Sequence, residues 1–275
     1  ASFGLTGRDN TLPWQWAQNY AMDKDKGFIF GTGTDLNAGS HITINKNISA
    51  VNRNAHWDKS YKANFGLDFN VLNNRLVFAI DGYYDWNREM LLPYKSSIPG
   101  TVGTQSAYVN YGEMDAYGVE LSVTWRDKIG KDFRYYIRPN LTFSRNRLEY
   151  KAEVARKNSW RKETGKRLYE NFVYVFDHFV ANQDEADRLN KIGYQPWGQL
   201  IPGDVVYKDL NNDGKVDDQH DMKAMGNPKT PELQFGIPLG LSYKGWDLSM
   251  LFQGAALTSL QLSGPAVWDF PVMGA

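Results

Sequence analysis

The stretch from Tyr61 to Leu92, YKANFGLDFNVLNNRLVFAIDGYYDWNREMLL, alternates apolar and polar residues on both sides of a short polar turn. A period of two is typical of β-strands, because successive side chains point to opposite faces. Asn73 and Asn74 tolerate the positive φ angles of a tight hairpin turn. The stretch therefore predicts two long strands whose apolar face carries Ala63, Phe65, Leu67, Phe69, Val71, Leu76, Phe78, Ile80, Tyr84 and Trp86.

The same pattern recurs in two later segments. One is GVELSVTWRDKIGKDFRYYIRPNLTFSRNRLEY, which begins at Gly118 and turns at Gly130. The other is LQFGIPLGLSYKGWDLSMLFQGAA, which begins at Leu233 and turns at Lys244 and Gly245. Each segment predicts another hairpin with one apolar and one polar face.

Hairpins of this kind occur in soluble β-sandwiches and in membrane barrels. The predicted strands are about 11 to 17 residues long, against about 5 or 6 in soluble proteins. Large aromatic residues lie beside the turns on the apolar face, as in the pairs Trp125 with Phe133 and Tyr243 with Trp246. We expect ionised side chains only on the opposite face, which would line a wet lumen. These features favour a transmembrane antiparallel β-barrel in the all-β class.

Short turns alternate with long connections, which are predicted from Pro93 to Gly112 and from Lys151 to Thr230. Outer-membrane barrels have short periplasmic turns and long extracellular loops. Residues 151–230, called here the loop region, are therefore predicted to lie outside the cell. The loop region contains NQDEADRLNKIG, in which Asn182 and Glu185 have capping-box spacing and Gly193 is placed to end a helix.

Composition excludes several functions. The 275 residues contain 31 Lys plus Arg and 31 Asp plus Glu, so no net charge favours nucleic acid as a partner. The absence of Cys excludes disulfides, Cys-ligated zinc and thiol nucleophiles. No apolar run is long enough for a transmembrane helix. The first residues do not resemble a signal peptide, so we expect a cytoplasmic protein or a piece of a longer one.

The acidic stretch DLNNDGKVDDQHD, from Asp209 to Asp221, has the spacing of an EF-hand-type calcium loop, with Gly214 at the sharp turn. His220 stands where the bidentate Glu is expected, and no helix pair flanks the loop. One interpretation is a calcium site; the other is a metal-free turn whose carboxylates accept backbone N–H groups. The candidate calcium ligands are Asp209, Asn211, Asp213, the Lys215 carbonyl, Asp217 and Asp221.

No catalytic motif is evident. The glycine-containing stretch GTGTDLNAG from Gly31 lacks the ending of a phosphate loop. Spacing alone does not make a glycosidase pair of Glu113, Asp115 and Glu120. We therefore expect no enzyme. The four histidines lie apart without metal-ligand or triad spacing and are interpreted as loop and surface residues: His41, His56, His178 and His220.

Several motifs together resemble the SusC-like (RagA/SusC) family of TonB-dependent outer-membrane transporters, in the family's order over nearly the whole chain. They are ASFGLTG from Ala1, WDKSYKANFGLDFNVLNNRLVFAIDGYYDWNREMLLP from Trp57, YVNYGEMDAYGVELSVTWRD from Tyr108, QDEAD from Gln183, PGDVVYKDLNNDGKVDD from Pro202 and GNPKTPELQFGIPLGLSYKGWDLSMLFQGA from Gly226.

The resemblance implies a 22-stranded barrel filled by a plug, of which residues 1–275 are an incomplete arc from the C-terminal portion. The plug, its TonB box and the last strands are expected to lie outside this sequence. Two departures from the family pattern occur in the loop region. The acidic repeat has one inserted residue, so that Asp221 takes the place of the terminal Asp, and His178 stands where Gly is common.

The resemblance also implies function. Such transporters import an oligosaccharide, or in some members a peptide, across the outer membrane of Gram-negative bacteria. A SusD-like surface lipoprotein acts as a lid, and the TonB complex acts through the plug. A passive porin and a secreted calcium-dependent carbohydrate-binding β-sandwich are the alternatives. Residues that are candidates to contact cargo or plug are Asp81, Asp85, Arg138, Asn140, Gln253, Trp160, Tyr169, Tyr194 and Trp197.

Overall fold

The computed structural model describes residues 1–9, 16–17, 21–23, 41–43, 51–94, 107–153 and 156–262. The stretch from Gly31, most of the connection after Pro93 and the final residues VWDFPVMGA lie outside the described residues. None of the helices described is both long and apolar enough to cross a membrane.

Antiparallel strands make up most of the described chain. One helix, α1, spans Gln183–Ile192, and a short 3-10 helix spans Ser159–Arg161. The strands are β1 (Ser2–Arg8), β2 (Ala21–Asp23), β3 (His41–Thr43), β4 (Asp58–Val71), β5 (Leu76–Pro93), β6 (Tyr108–Ile129), β7 (Phe133–Ile137), β8 (Asn140–Tyr150), β9 (Phe172–Tyr174), β10 (Phe176–Phe179), β11 (Val205–Tyr207), β12 (Met222–Ala224), β13 (Leu233–Tyr243) and β14 (Trp246–Ala256).

Within the described residues, eight strands form one large sheet, and seven of them follow the order β1-β4-β5-β6-β7-β13-β14. The eighth strand, β8, continues the position of β7 between β6 and β13 and pairs with both. All of these pairings are antiparallel. The sheet ends at β1 on one side and at β14 on the other, so it is an open arc.

The three predicted turns are confirmed. Between β4 and β5, Leu72, Asn73 and Asn74 have φ angles of 54°, 55° and 63°. The turn from β6 to β7 contains Gly130 at φ 65°, and the turn from β13 to β14 contains Lys244 and Gly245 at 46° and 89°. Residues that tolerate the left-handed region therefore supply most of the positive φ angles that these turns need.

Two strand boundaries differ from the prediction. Strand β6 begins at Tyr108, which is the register partner of Pro93, so the connection after β5 is shorter than predicted. The predicted strand after Gly130 is interrupted between β7 and β8 at Arg138 and Pro139. Proline has no N–H to donate to a neighbouring strand, which explains the interruption.

One face of the large sheet is apolar and bare. Phe65 is 59% exposed in the middle of β4, and Leu248 is 49% exposed in β14. Phe69 and Phe78 stack across β4 and β5 with ring centroids 4.8 Å apart. A β-sandwich would cover this face with a second large sheet, but the other sheets in the described part of the chain have two strands each.

The expectation that charges keep to the opposite face is wrong at the ends of the strands. Asp127 shares the apolar face with Trp125 and forms an ion pair with Arg75. At the other end, Asp115 and Arg147 are register partners on the same face. A membrane barrel has an apolar band only about 25 Å tall. Strands as long as β6 extend beyond such a band, so their ends can carry charges.

The loop region has a small core of its own. Helix α1 buries Ala186 and Leu189 against Val180, Leu200 and Val206. The predicted helix ends are confirmed. The Asn182 side chain accepts a hydrogen bond from the Glu185 N–H, and Gly193 ends the helix at φ 60°. The loop region is therefore folded in its own right, beyond the ends of β8 and β13.

Candidate functional site

The acidic loop turns sharply where the sequence predicts it. Gly214 has a φ of 88°, and Asn212 before it has a φ of 59°. The Asp209 carboxylate accepts hydrogen bonds from the N–H groups of Gly214 at 2.7 Å and Asp213 at 3.3 Å. Asp209 thus closes the loop over its own backbone.

The next two candidate ligands are also bonded within the loop. Asn211 Oδ1 accepts from the Asp213 N–H at 3.2 Å, and Asn211 Nδ2 donates to Asp213 Oδ2 at 2.8 Å. Asp213 Oδ1 accepts from the Lys215 N–H at 3.0 Å. These bonds are the ones expected of a metal-free turn. A carboxylate offers about four acceptor positions, so the same oxygens retain capacity for a cation.

Asp221 forms the base of the loop. It is fully buried, at 0% exposure. Its two carboxylate oxygens accept from the N–H groups of Leu210 at 2.7 Å and Asp217 at 2.8 Å. A buried carboxylate needs such donors, because burial without them is costly. Asp221 therefore joins the two ends of the loop whether or not an ion is bound.

His220, interpreted from its spacing as a surface residue and not as a candidate ligand, lies in a cluster of possible ligands. Ligand atoms of Asp213, Asp217 and His220 lie within 4.8 Å of one another. The contact between His220 Nδ1 and Asp217 Oδ2 is 2.9 Å and raises the pKa of His220. Burial acts to raise the pKa of Asp217, but hydrogen bonds from His220 and Gln219 outweigh it and lower this pKa. The spacing of three residues between Asp217 and His220 was the available signal.

The acidic loop is fixed to the rest of the loop region. Trp160 Nε1 donates to the His220 carbonyl at 2.7 Å. The Val216 N–H donates to the Tyr194 carbonyl at 2.7 Å, and the Val216 side chain is 1% exposed. Any ligand held here would therefore stabilise the packing of the loop region.

The four aromatic candidates of the loop region have different surroundings. Trp160 is engaged with the acidic loop, and Tyr194 packs on the small core with its hydroxyl donating to the Tyr207 carbonyl at 2.9 Å. Tyr169 is 83% exposed and has a φ of 62°. Trp197 is 48% exposed and lies 4.8 Å from the ring of Tyr174. Tyr169 and Trp197 are thus the two that remain open to a ligand.

Tyr174 and Tyr207 line a cavity of about 910 Å³ beside this aromatic group. Their ring centroids are 5.3 Å apart, and Trp197 lies 5.9 Å from Tyr207. Aromatic faces next to a cavity of this size can stack on a sugar ring or pack on an apolar side chain.

A network of ion pairs joins the loop region to the sheet. Arg145 of β8 donates through Nη2 to Glu232 Oε2 at 2.6 Å, and Arg167 Nη1 reaches the same oxygen at 3.3 Å. Arg167 Nη2 donates to Glu170 Oε1 at 2.7 Å, which lowers the pKa of Glu170. The side chain of Glu232 is 6% exposed. This network fixes the position at which the chain leaves and re-enters the sheet.

The polar face of the sheet carries the remaining candidates. Asp81 lies directly opposite Glu120, and Lys62 forms an ion pair with Asp85 at 3.6 Å. The Arg138 guanidinium lies 4.2 Å from the centroid of Tyr136. Asn140 and Gln253 are both register partners of Gly236. These candidates share one face but are spread along it, so they do not form one site.

A sheet with long strands, a bare apolar face and a polar face is the wall of a membrane-type β-barrel, here an incomplete arc. No model of a known protein family matches the chain. The chain is 22% identical to TonB-dependent receptor P3 of Formosa agariphila, a match that covers 93% of the chain and 25% of the receptor. It is 26% identical to TonB-dependent receptor SusC of Bacteroides thetaiotaomicron, covering 73% of the chain and 19% of that receptor.

Among solved structures, the RagAB peptide importer in the 'open-open' state matches with a TM-score of 0.68 and 18% identity. The match covers 93% of this chain and 25% of that chain. The resemblance found in the sequence and the barrel fold are therefore confirmed. The chain is similar to a segment of these TonB-dependent receptors and spans about a fifth to a quarter of their length.

Proposed function

We propose that this chain forms part of the wall and outer surface of a TonB-dependent importer in the outer membrane of a Gram-negative bacterium. The observation that carries the proposal is the apolar face of the sheet, on which side chains such as Phe65 and Leu248 have no protein cover. Lipid is the solvent that suits such a face. The similarity to TonB-dependent receptors along most of the chain supports the same conclusion.

In this proposal the turns of the large sheet face the periplasm and the loop region, residues 151–230, faces outward. Strands β1 and β14 are the edges of the described sheet, and each needs a neighbour to close the barrel. The remaining strands, the plug and the TonB box belong to the other three quarters of the receptor. A SusD-like lipoprotein covers the loop region as a lid.

The cargo that we propose is an oligosaccharide. The exposed ring of Trp197 and the cavity beside Tyr174 and Tyr207 support a sugar-stacking surface on the loop region. A peptide is the second candidate, because RagAB, which shares this fold, is named as a peptide importer. Neither candidate needs covalent chemistry, and the named relatives are receptors and transporters, so we propose transport without catalysis.

The test starts from the native full-length receptor, tagged and extracted from outer membranes with detergent. We expect a SusD-like lipoprotein to co-purify in about equal amount. Recovery of this chain alone in the soluble fraction would contradict the proposal and favour the carbohydrate-binding β-sandwich.

Cargo is tested by uptake. A strain without the receptor is supplied with labelled oligosaccharides or labelled peptides, and the same strain with the receptor restored is the control. Receptor-dependent uptake of oligosaccharide is expected. Uptake of peptide alone would replace the proposed cargo, and uptake without TonB would point to a passive porin.

We also propose that the acidic loop binds a calcium ion that stiffens the loop region. Asp209, Asn211, Asp213, Asp217 and Asp221 would supply oxygen ligands, with the Lys215 carbonyl, and calcium prefers such ligands. The donor set supports this role because ligand atoms of Asp213 and Asp217 lie within 4.8 Å of each other, and Asp209 and Asp221 are bonded to the backbone of the same tight turn. The ion would contribute stability and no chemistry.

Calcium binding is measured on the full receptor by isothermal titration, with Asp213→Asn and Asp218→Asn as matched variants. Asp218 is exposed in the same loop but is not a proposed ligand. We expect a dissociation constant of about 10⁻⁴ to 10⁻³ M, as in extracellular calcium modules. The Asp213 variant should lose binding and the Asp218 variant should keep it; equal behaviour of the two would reject the site.

A further inference from the structure

Four cationic side chains lie together on the polar face of the sheet, beside the turns at Gly130 and Gly245. Adjacent strands place three of them in two cross-strand rows, and the fourth, Arg138, follows the end of β7. One row runs through Arg126, Tyr136, Gly240 and Ser249. The other, nearer the turns, runs through Lys128, Arg134, Ser242 and Asp247. We call Arg126, Lys128, Arg134 and Arg138 the cationic ladder.

The ladder contains a repulsive contact that folding of this chain does not explain. Lys128 and Arg134 are direct register partners, and like charges in that position destabilise a sheet. Within the described residues, none of the four cations belongs to an ion pair within 4 Å. All four are exposed.

The carboxylates in the part of the chain that the structure describes are badly placed to neutralise the ladder. Asp127 is on the opposite face and is paired with Arg75. Glu120 shares the polar face but lies six residues from Arg126 along β6, which is about 20 Å. Charges so far apart are largely screened at physiological salt, where the screening length is about 8 Å. Of the described carboxylates, Asp247 at the end of one row and Asp132 in the turn before Arg134 lie nearest, and neither forms an ion pair within 4 Å with the ladder.

Two of the four cations, Arg126 and Arg138, are held in place by contacts within the sheet. The Tyr136 ring lies directly over Gly240, where an added Cβ would be only 2.5 Å from a ring carbon. The Arg138 guanidinium stacks on the same ring at 4.2 Å. Arg126 Nε donates to the Asn74 carbonyl at 2.9 Å. A cavity of about 1100 Å³ is bordered by all four cations. Four cations around one cavity, two of them fixed, form a surface that complements an anionic partner.

We propose that the cationic ladder is a docking surface for an acidic segment of the same receptor polypeptide, outside residues 1–275. The chain spans about a quarter of its relatives' length, so most of the receptor is available to supply this segment. Lipid headgroups would meet the apolar face of the sheet, and the ladder is on the other face. Each row crosses four strands, about 14 Å, which suits several carboxylates on one segment better than a single small anion.

The first test is carbodiimide coupling on the native full-length receptor, which joins a lysine amine to a carboxylate only when the two are in contact. Mass spectrometry should find Lys128 joined to an Asp or Glu outside residues 1–275. Lys131, exposed in the adjacent turn, is the matched control and should give little coupling. The double variant Arg134→Gln, Arg138→Gln should lower the Lys128 yield at least threefold.

The second test uses the sign of a stability change. If no acidic segment is bound, the cations of the ladder repel one another, and the double variant Lys128→Gln, Arg134→Gln would raise the melting temperature of the receptor. A docked ladder would lose attractive pairs, so we expect the melting temperature to fall by several degrees. Lys131→Gln with Lys244→Gln removes the same charge from the turns and should change little.

Any of four outcomes would overturn the inference, and the first three concern the stability change and the coupling partner. They are a rise in melting temperature, coupling of Lys128 only to carboxylates of this chain such as Asp247, and coupling to a separate molecule such as cargo. Absence of Lys128 coupling in a receptor that couples at other lysines counts against it equally. The inference holds whichever cargo the receptor imports, so its failure would leave the proposed import function standing.

Discussion

The large sheet and the loop region bury apolar side chains in opposite ways. Of the apolar residues buried in the described chain, only Leu148 belongs to the sheet; the others lie between Val180 and Val216. The sheet instead exposes residues such as Phe65 and Met250 along one face. The loop region is built as a water-soluble protein with an internal core, whereas the sheet needs lipid to complete its apolar side.

The comparison shows that an exposed apolar side chain has a different environment in each of the two regions. In the loop region an exposed apolar residue is free to contact a ligand or partner, as for Tyr169 and Trp197. In the sheet, under the proposed function, an exposed apolar side chain contacts lipid. The ion pairs of Arg145, Glu232 and Arg167 mark the boundary between the two environments.

The strongest expected effect lies in the loop-region core. Leu189 is 5% exposed, and Leu189→Ala should cost about 4 kcal/mol because it leaves a cavity. Hydrogen exchange of the full receptor should show faster exchange in α1 and β11 and unchanged exchange in β4 to β6. Ile192→Ala, at an exposed position of the same helix, is the control and should have little effect. Equal loosening of the sheet would mean that the two regions share one core.

The next prediction tests whether the apolar face of the sheet contacts lipid. Leu67→Arg places a charge on the bare apolar face and should cost about 3 kcal/mol in a bilayer. Asp68→Arg, on the polar face one residue later, should be tolerated. Urea unfolding of the receptor in lipid vesicles measures both variants. Similar costs for the two would show that this face does not contact lipid.

An intermediate effect is expected where the two regions meet. Glu232→Gln removes the charge of the buried carboxylate that Arg145 and Arg167 share, and should cost about 2 kcal/mol through the loss of charge-assisted hydrogen bonds. Thermal unfolding measures the loss. Glu149→Gln removes the partner of exposed Arg147 and should change stability little, since exposed ion pairs are weak. If Glu232→Gln left the stability unchanged, the ion-pair network would not contribute to joining the two regions.

The smallest effect is a pH dependence within the loop region. His178 contacts Asp177 at 2.7 Å and Glu185 at 3.3 Å, with Arg188 and Lys208 beside these carboxylates. The hydrogen bond to Asp177 raises the pKa of His178, followed by the contact with Glu185. A raised folded-state pKa stabilises the fold below the ordinary value of about 6.5, and this is lost as pH rises through the raised value.

His178→Gln should therefore lower the melting temperature at pH 5.5 and have less effect at pH 8. Comparing variant and parent at each pH removes the general effect of pH on the receptor. The effect should be small because the imidazole is exposed. A loss of equal size at both values would show that the charge of His178 contributes nothing.

Much of the secondary structure is readable from the sequence because local rules set it. Alternation fixed which face each residue of β4 and β5 occupies, and Asn182 with Gly193 marked both ends of α1. The predicted Pro93–Gly112 connection was too long because β6 pairs back to Pro93 over a bulge that alternation does not reveal. The charges at the strand ends were missed because the pattern gives no membrane boundary.

The acidic loop was readable only in part. The sequence indicated the turn at Gly214 and the inserted position of Asp221. It did not indicate that Asp221 is fully buried or that His220 contacts Asp217, since both depend on how the loop packs against Trp160 and Tyr194. Whether the loop binds calcium stays a prediction.

The sequence alone determined strand phase, turn positions and helix caps, because each depends on residues close together in the chain. It also showed the resemblance to SusC-like receptors, because each of the motifs is a continuous stretch of sequence. Tertiary structure decided the rest. It paired β13 with both β7 and β8, placed Lys128 opposite Arg134, and brought Glu232 to Arg145 across 87 residues. Such contacts join residues far apart in sequence, and they follow from the register and packing of whole elements, which no local pattern specifies.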